Sequence, residues 1–411
     1  MRIRRNLVIF LIPLQTSLMN AAAMNERIWN RNFILLILSN FLMYITYYAI
    51  LSALPLYLVT DLKASKIQVG IVVGVYTVAS VMVRPFSGFA LDRFGRRTIF
   101  LLALIIYSLL FTGYLVAITI VSIIALRFAQ GLTWGFTTVS GSTIAVDITP
   151  EHKRGEGIGY FAMSTTLGMS VGPVIGLFIC HQWGYITMFV SGCLISAGSL
   201  VCAYAVHLRK RFVVGKHIRL QLNSMFDKSS VRPSLNVIIT MMSYGALLSF
   251  IALYGREIGI RNSSLYFLIL SIGVASARLT AGKIFDKKGP RNIITFCLLL
   301  LIVGFPLLAM AKNEILFYIS AIIIGFGNGV IFPTFQSMVN NLAEPMHRGA
   351  ANSTLYTAVD LGMGIGMIMA GLIAQHISLS AIFWISSAVS AAGLIFFRLF
   401  VLNRYESHNL V

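Results

Sequence analysis

Arg84-Pro-Phe-Ser-Gly88-Phe-Ala-Leu-Asp92-Arg93-Phe-Gly95-Arg96-Arg97 closes a long apolar run, and it has a copy in Arg278-Leu-Thr-Ala-Gly282-Lys-Ile-Phe-Asp286-Lys287-Lys288-Gly289-Pro-Arg291. Arg, Gly, Asp and Gly recur at the same internal spacing, at a constant offset of 194 residues. The repeat continues outside the quoted stretch. Gly131 matches Gly325, Gly135 matches Gly329, Arg154-Gly155 matches Arg348-Gly349, Gly168 matches Gly362, Gly172 matches Gly366 and Phe189 matches Phe383. A chain that repeats itself in this way, each copy made of apolar runs, reads as a membrane protein of two homologous halves.

Composition agrees. Of 411 residues, 57% are hydrophobic and 11% charged, and mean hydropathy is +0.84. Soluble domains carry about 25% charged residues, so the solvent of this chain is mostly lipid. Its apolar runs of roughly 20 residues suffice, as helices, to cross a ~30 Å hydrocarbon core. They lack the period-2 alternation of a β-barrel. Lys and Arg number 32 against 13 acids, a net charge of +19. The cations sit in short loops between runs, where they orient a membrane protein; they do not form a nucleic-acid patch. Cys180, Cys193, Cys202 and Cys297 lie in or beside apolar segments without metal-ligand spacing. No nucleophile–base set gathers at one depth, which argues against an enzyme. No Gly-rich Lys loop for nucleotide phosphates is present, which makes an ion gradient the expected energy source.

Twelve spans follow, at approximately 33–58, 69–91, 98–118, 121–147, 157–180, 184–206, 234–256, 265–285, 292–312, 315–341, 351–374 and 379–402. We number them 1 to 12. The expected fold class is an all-α membrane protein of twelve transmembrane helices in two pseudo-symmetric six-helix halves. The chain then divides into an N-terminal extension (1–32), a first half (33–206), a basic linker (207–233), a second half (234–402) and a tail (403–411). Basic residues cluster after spans 2, 4, 6, 8 and 10, and are sparser in the intervening loops. That alternation places both termini and the linker in the cytoplasm; the expected membrane is a bacterial-type inner membrane. The linker is expected to lie partly helical on the lipid surface. Cysteines introduced at Ser224 and at Lys312 should therefore react from opposite sides of the membrane; equal labelling from outside would overturn the topology. Residues 1–23 imitate a cleaved signal peptide. Cleavage would leave Met24 outside, against the charge pattern, so we read them as a dispensable cytoplasmic extension, with Met24 as an alternative start.

Several residues carry a physical argument of their own. Gly88 and Gly95 suit close helix approach and a turn needing φ > 0. Asp92 sits at a membrane boundary, where it either accepts from a helix N-terminus or orders nearby arginines as a solvated carboxylate. Arg96 and Arg97 either pair with acids such as Asp147 or Glu156 or simply enforce topology. Arg127 lies inside span 4, and an intramembrane arginine is costly unless it faces a cavity, finds a partner or snorkels. Gln130 is one turn on, sharing its face. Gly168, Gly172, Pro173 and Gly176 give span 5 a small-residue face with a kink. We expect that face to pack against span 8. Asp360, about nine residues into span 11, lies near mid-membrane, and its repeat partner is Thr166. It reads as a proton carrier, a partner of substrate or arginine, or a plain polar contact. Asn40, Tyr44, Tyr47 and Tyr48 form a polar-aromatic stripe in span 1 that Tyr244, Phe332 and Gln336 can join. Such a cage suits a bulky, partly apolar cargo or a cation.

These motifs resemble those of the major facilitator superfamily over essentially residues 24–411. Gly88-x-x-x-Asp92-Arg93-x-Gly95-Arg96-Arg97 matches its loop motif. Arg127-x-x-Gln130-Gly131 matches its fourth-span motif. Gly159-x8-Gly168-x3-Gly172-Pro173-x2-Gly176 is similar to the antiporter signature of drug/proton exporters, with Leu177 in place of the final Gly. The resemblance implies that Asp92, with Asp286 as its repeat partner, latches the halves through span 11, and that Arg127 serves proton coupling, for which Asp360, Asp147 and Glu156 are further candidates. It implies that spans 1, 4, 7 and 10 line a central cavity. A span-1 acid of the kind some cation exporters use is missing from the sequence, which weakens a strictly cationic cargo. The expected protein is a monomeric proton-coupled exporter of a small organic molecule. Its partners would be substrate, protons and lipids, with no cofactor and no nucleic acid. Nutrient uptake by symport and a non-transporting sensor are the alternatives.

Overall fold

The computed structural model describes residues 28–150, 153–207, 228–343, 348–403 and 405–406, without the side chains of Asp92, Arg154, Lys228, residues 279–289 and residues 348–350. Most of the N-terminal extension and linker, the end of the tail, and the Asp92 and Asp286 carboxylates thus lie outside the described residues. Every regular element among the described residues is helical. Ten helices are long and apolar enough to cross a membrane, and a shorter apolar helix, Ser264–Arg278, begins span 8. One of the ten, Glu156–Tyr204, is far longer than one crossing needs. It breaks at Gly184, whose φ of +82° disfavours any side chain. Spans 5 and 6 are its two arms, and the count is consistent with the twelve crossings expected. Pro173 does not mark the break; it sits in helical backbone one arm earlier.

Local signals explain the helix ends. Asn30 caps span 1, its side chain accepting from Phe33 N–H. Ser65 and Gln68 form a reciprocal capping box at the start of span 2. Thr119 and Asn313, which the repeat pairs, accept from Ser122 N–H and Leu316 N–H to start spans 4 and 10. Gly95, at φ +92°, ends span 2 and turns the chain directly into span 3.

The repeat is a repeat of contacts as well as of letters. A Cβ on Gly131 would meet Tyr76 C at 2.9 Å, and one on Gly325 would meet Leu270 C at 3.0 Å. One on Gly172 would meet Tyr48 Cβ at 2.8 Å, and one on Gly366 would meet Met242 C at 2.6 Å. Each second contact is the first moved 194 residues along the chain. Glycine is needed at these points because two helix backbones touch there. The same contacts correct one expectation. The glycine face of span 5 packs on span 1 of its own half, Gly168 against Phe41 and Tyr44, Gly172 against Ile45 and Tyr48, and Gly176 against Ala49. Span 5 meets span 8 through a different residue, Thr166, which accepts from Arg278. Helix periodicity shows that a small face exists and leaves its neighbour unnamed.

The halves meet most closely where spans 2 and 11 run together at the end away from the basic turns. Lys66 N–H donates to Gln375 Oε1 at 3.0 Å. A Cβ on Gly70 would meet Gly371 Cα at 3.0 Å, and one on Gly74 would meet Gly364 O at 3.1 Å. Further toward the basic end, a Cβ on Gly88 or on Gly159 would meet nothing within 4 Å. The close contact therefore fades along span 2 from Gly70 to Gly88.

Candidate functional site

Between the glycine contacts and Gly88, span 2 carries Ser80 and Arg84, one turn apart on one face. Both reach Asp360 of span 11. Ser80 Oγ donates to Asp360 Oδ2 at 2.9 Å, Arg84 Nε donates to it at 2.9 Å, and Arg84 Nη2 lies 2.6 Å away. The two side chains are 8% and 13% exposed, so this ion pair joins the halves out of water. Arg84 also lies over the ring of Tyr356, 5.7 Å from its centroid. Tyr356 contacts Phe332 at 5.4 Å between centroids, and Gln336 donates to Asn352 Oδ1 at 3.3 Å and to Tyr356 Oη at 3.5 Å. The sequence reading placed Asp360 at mid-span and missed its partner. The signal was available, since Arg84 opens the repeated stretch and lies within the membrane.

The repeat-related contact pairs span 8 with span 5. Arg278 Nη1 donates to Thr166 Oγ1, and Arg278 Nε donates to Gly329 O at 3.4 Å. Tyr244 of span 7 crosses to the first half, its hydroxyl 3.4 Å from Met169 Sδ. Tyr48, Tyr244 and Tyr356 lie within electrostatic reach of Arg278. Side chains of spans 1, 5, 7, 8, 10 and 11 thus come together between the halves.

The span-1 stripe divides in two. Asn40 is buried and donates to Ser164 Oγ at 2.8 Å and Thr165 Oγ1 at 3.1 Å, tying span 1 to span 5. Tyr47 stacks on Trp134 at 4.6 Å and contacts Tyr76 at 4.8 Å. Tyr44 contacts Trp134 at 4.8 Å and stacks on Tyr48 at 6.2 Å. Trp134 and Tyr76 were missed from sequence. Trp134 stands two turns beyond Arg127 on one helix face, which periodicity could have flagged.

Arg127 is 2% exposed. Its guanidinium lies 5.5 Å from the centroid of Tyr76 and 5.9 Å from that of Tyr114. Nε and Nη2 find no hydrogen-bond partner, nor does Gln130 Nε2 beside them, although Gln130 Oε1 accepts from Tyr114 Oη at 2.7 Å. Among the described residues, tyrosine faces and no carboxylate lie against this cation.

At the basic end, Arg96 forms an ion pair with Asp147, joining the start of span 3 to the end of span 4. Arg97 Nη2 donates to Tyr204 O at 2.9 Å, and exposed Arg93 lies over Phe89 and Phe94. Glu156 is exposed and accepts from Tyr160 Oη at 3.2 Å. Among the described residues, Arg84–Asp360 and Arg96–Asp147 are the only ion pairs. No cluster of His, Cys, Asp or Glu among them could hold a metal.

The sequence profile of the Major Facilitator Superfamily matches residues 36–304 and 233–410. The chain belongs to the major facilitator superfamily. It is 25% identical over 338 residues to the staphylopine export protein of Staphylococcus aureus, covering 77% of this chain and 82% of that protein. It is also 25% identical over 380 residues to the multidrug resistance protein MdtG of Serratia proteamaculans, covering 88% and 91%. Among solved structures, a bacterial homolog of the lysosomal transporter Spinster superposes with a TM-score of 0.75 at 16% identity, covering 89% and 95%. The xylose transporter XylE from E. coli does so with 0.72 at 15% identity, covering 90% and 95%. Superfamily membership makes this multi-pass membrane protein a transporter rather than an enzyme. The structural likenesses speak for its fold alone.

Proposed function

We propose that the protein is a proton-coupled secondary exporter of small organic molecules, in which two six-helix halves rock about a midplane site. The observation that carries this reading is the Arg84–Asp360 ion pair, which bridges the halves where their close contact ends. A carboxylate there has two states. Ionised, it holds Arg84; protonated, it no longer pairs and escapes the cost of a buried charge. Alternate exposure of Asp360 would convert a proton gradient into movement of the halves. The relatives named for export, and the span-5 signature, favour outward transport over uptake. In this reading the basic turn of Gly88, Asp92, Arg93, Gly95, Arg96 and Arg97, with Asp286 in the second copy, governs closure at the cytoplasmic end. Tyr44, Tyr48, Tyr244, Phe332 and Gln336 contact the cargo.

An untargeted metabolite and drug screen in cells overproducing the protein tests the proposal. Efflux of at least one compound should exceed that of cells lacking the protein, and a protonophore should collapse it. Protonophore-resistant efflux, or inward accumulation, would defeat it.

Arg127 belongs to the same proposal. Arg127→Ala should cut proton-driven flux more than it cuts folded protein. Arg127→Lys should not restore flux, because a point ammonium cannot span Tyr76 and Tyr114 as the planar guanidinium does. The readout is flux at matched expression; misfolding of both variants would assign Arg127 to structure.

A further inference from the structure

The two contacts at the half interface are related by the repeat, and their chemistry is not. Arg84 of span 2 corresponds to Arg278 of span 8, and Asp360 of span 11 corresponds to Thr166 of span 5, all at the offset of 194. On one side a guanidinium meets a carboxylate. On the other it meets a hydroxyl. Thr166 accepts a hydrogen bond but brings no charge. Among the described residues, no acid lies in ion-pair reach of Arg278.

Accessibility differs in the same sense. The Arg84 side chain is 8% exposed, whereas Arg278 is exposed. Arg278 reaches across to the first half, where Thr166 accepts from it. Thr166 and Gly329 contact it from spans 5 and 10, and Tyr48, Tyr244 and Tyr356 of spans 1, 7 and 11 lie within electrostatic reach. A guanidinium at this depth, in the space between the halves and with no acid among the described residues in ion-pair reach, is costly to maintain. An anion entering that space would supply the missing charge.

We propose that Arg278 recognises a carboxylate on the transported molecule, the cargo taking the place that an acid at position 166 would occupy. The guanidinium fork donates two parallel hydrogen bonds to a carboxylate. One guanidinium balances one negative charge, which favours a carboxylate over a phosphate monoester carrying about two near neutral pH. Tyr48, Tyr244 and Tyr356 offer rings and hydroxyls to the apolar and polar parts of such a molecule. The cargo class is therefore an aromatic or otherwise partly apolar monocarboxylate. This deepens the export reading and rests on it in taking the space between the halves as the place of the cargo.

The test is calorimetric binding to the purified full chain in detergent, with three matched probes: 1-naphthylacetate, its carboxamide, and 1-naphthylethylammonium. The carboxylate should bind about tenfold or more tightly than the carboxamide, and the ammonium should not compete. Thr166→Asp supplies the acid that the other interface already has, so it should remove the preference for the carboxylate. Arg278→Gln should do the same, and Arg278→Lys should keep part of it. If Thr166→Asp fails to fold, Arg278→Gln and Arg278→Lys decide. Equal affinity for carboxylate and carboxamide, preference for the ammonium, no binding of any probe, or a preference that survives both Thr166→Asp and Arg278→Gln would each overturn the assignment. Energised efflux of other compounds from cells would then still stand. Conversely, carboxylate binding without any protonophore-sensitive efflux would retain this site and defeat the export reading.

Discussion

Asp360→Asn is expected to abolish gradient-driven efflux while leaving downhill exchange of cargo measurable. Asn keeps the size of the side chain and an oxygen that can accept from Ser80 Oγ and Arg84 Nε, so the contact between spans 2 and 11 should persist in weakened form. What disappears is the titratable group. Thr166, its counterpart in the first half, cannot ionise, so nothing in the repeat substitutes for it. Removing one member of a buried ion pair costs about 3–5 kcal/mol when the other charge stays behind. Arg84 would be that charge, at 8% exposure. Loss of folded Asp360→Asn protein is thus a possible confounder, and the double variant Arg84→Gln/Asp360→Asn removes it by taking away both charges. The double variant should be folded and equally uncoupled. Uphill efflux by either variant, with normal dependence on the proton gradient, would discard Asp360 as the carrier. Asp147, paired with Arg96, and exposed Glu156 would be tested next.

Gly366→Leu should sharply reduce the yield and thermal stability of folded protein. A Cβ at Gly366 would meet the O, C and Cα of Met242, with C at 2.6 Å and Cα at 2.7 Å. These are backbone atoms of span 7, which no rotamer change can move aside. Spans 7 and 11 must separate or the side chain cannot fit. Overpacking commonly costs about 1–3 kcal/mol and sometimes more, and a leucine here adds three further carbons to a contact already closed at the first. Gly159→Ala provides the contrast, because its Cβ would meet nothing within 4 Å. That variant should fold like the parent, or slightly better, since Ala favours helix over Gly by about 0.8–1.0 kcal/mol. Melting of the detergent-solubilised proteins reads both. A Gly366→Leu protein that melts with the parent would mean that spans 7 and 11 are not in backbone contact.

These two glycines show where sequence reading stops. Both are helical, both follow a basic turn, and both belong to motifs or their repeat copies. Their surroundings differ because one faces a neighbouring backbone and the other faces open space. Periodicity identifies a face of a helix, but it does not name what the face meets. The span-5 glycines make the same point, since their partner is span 1 and not span 8.

The sequence by itself determined the membrane-spanning helical class, the two-fold repeat and the family. Each rests on properties that survive without coordinates. Hydropathy follows from composition, crossing number from run length, and duplication from a constant offset. The helix caps at Asn30, Ser65, Thr119 and Asn313 also act within a few residues of themselves, yet they became visible only in the structure. The tertiary structure alone decided which charges meet. Arg84 and Asp360 are 276 residues apart, and their encounter depends on how spans 2 and 11 pack across the halves. It also decided that Arg278 faces a threonine of the other half. Long-range electrostatics depends on distance and burial, and neither is written in the spacing of residues along a chain.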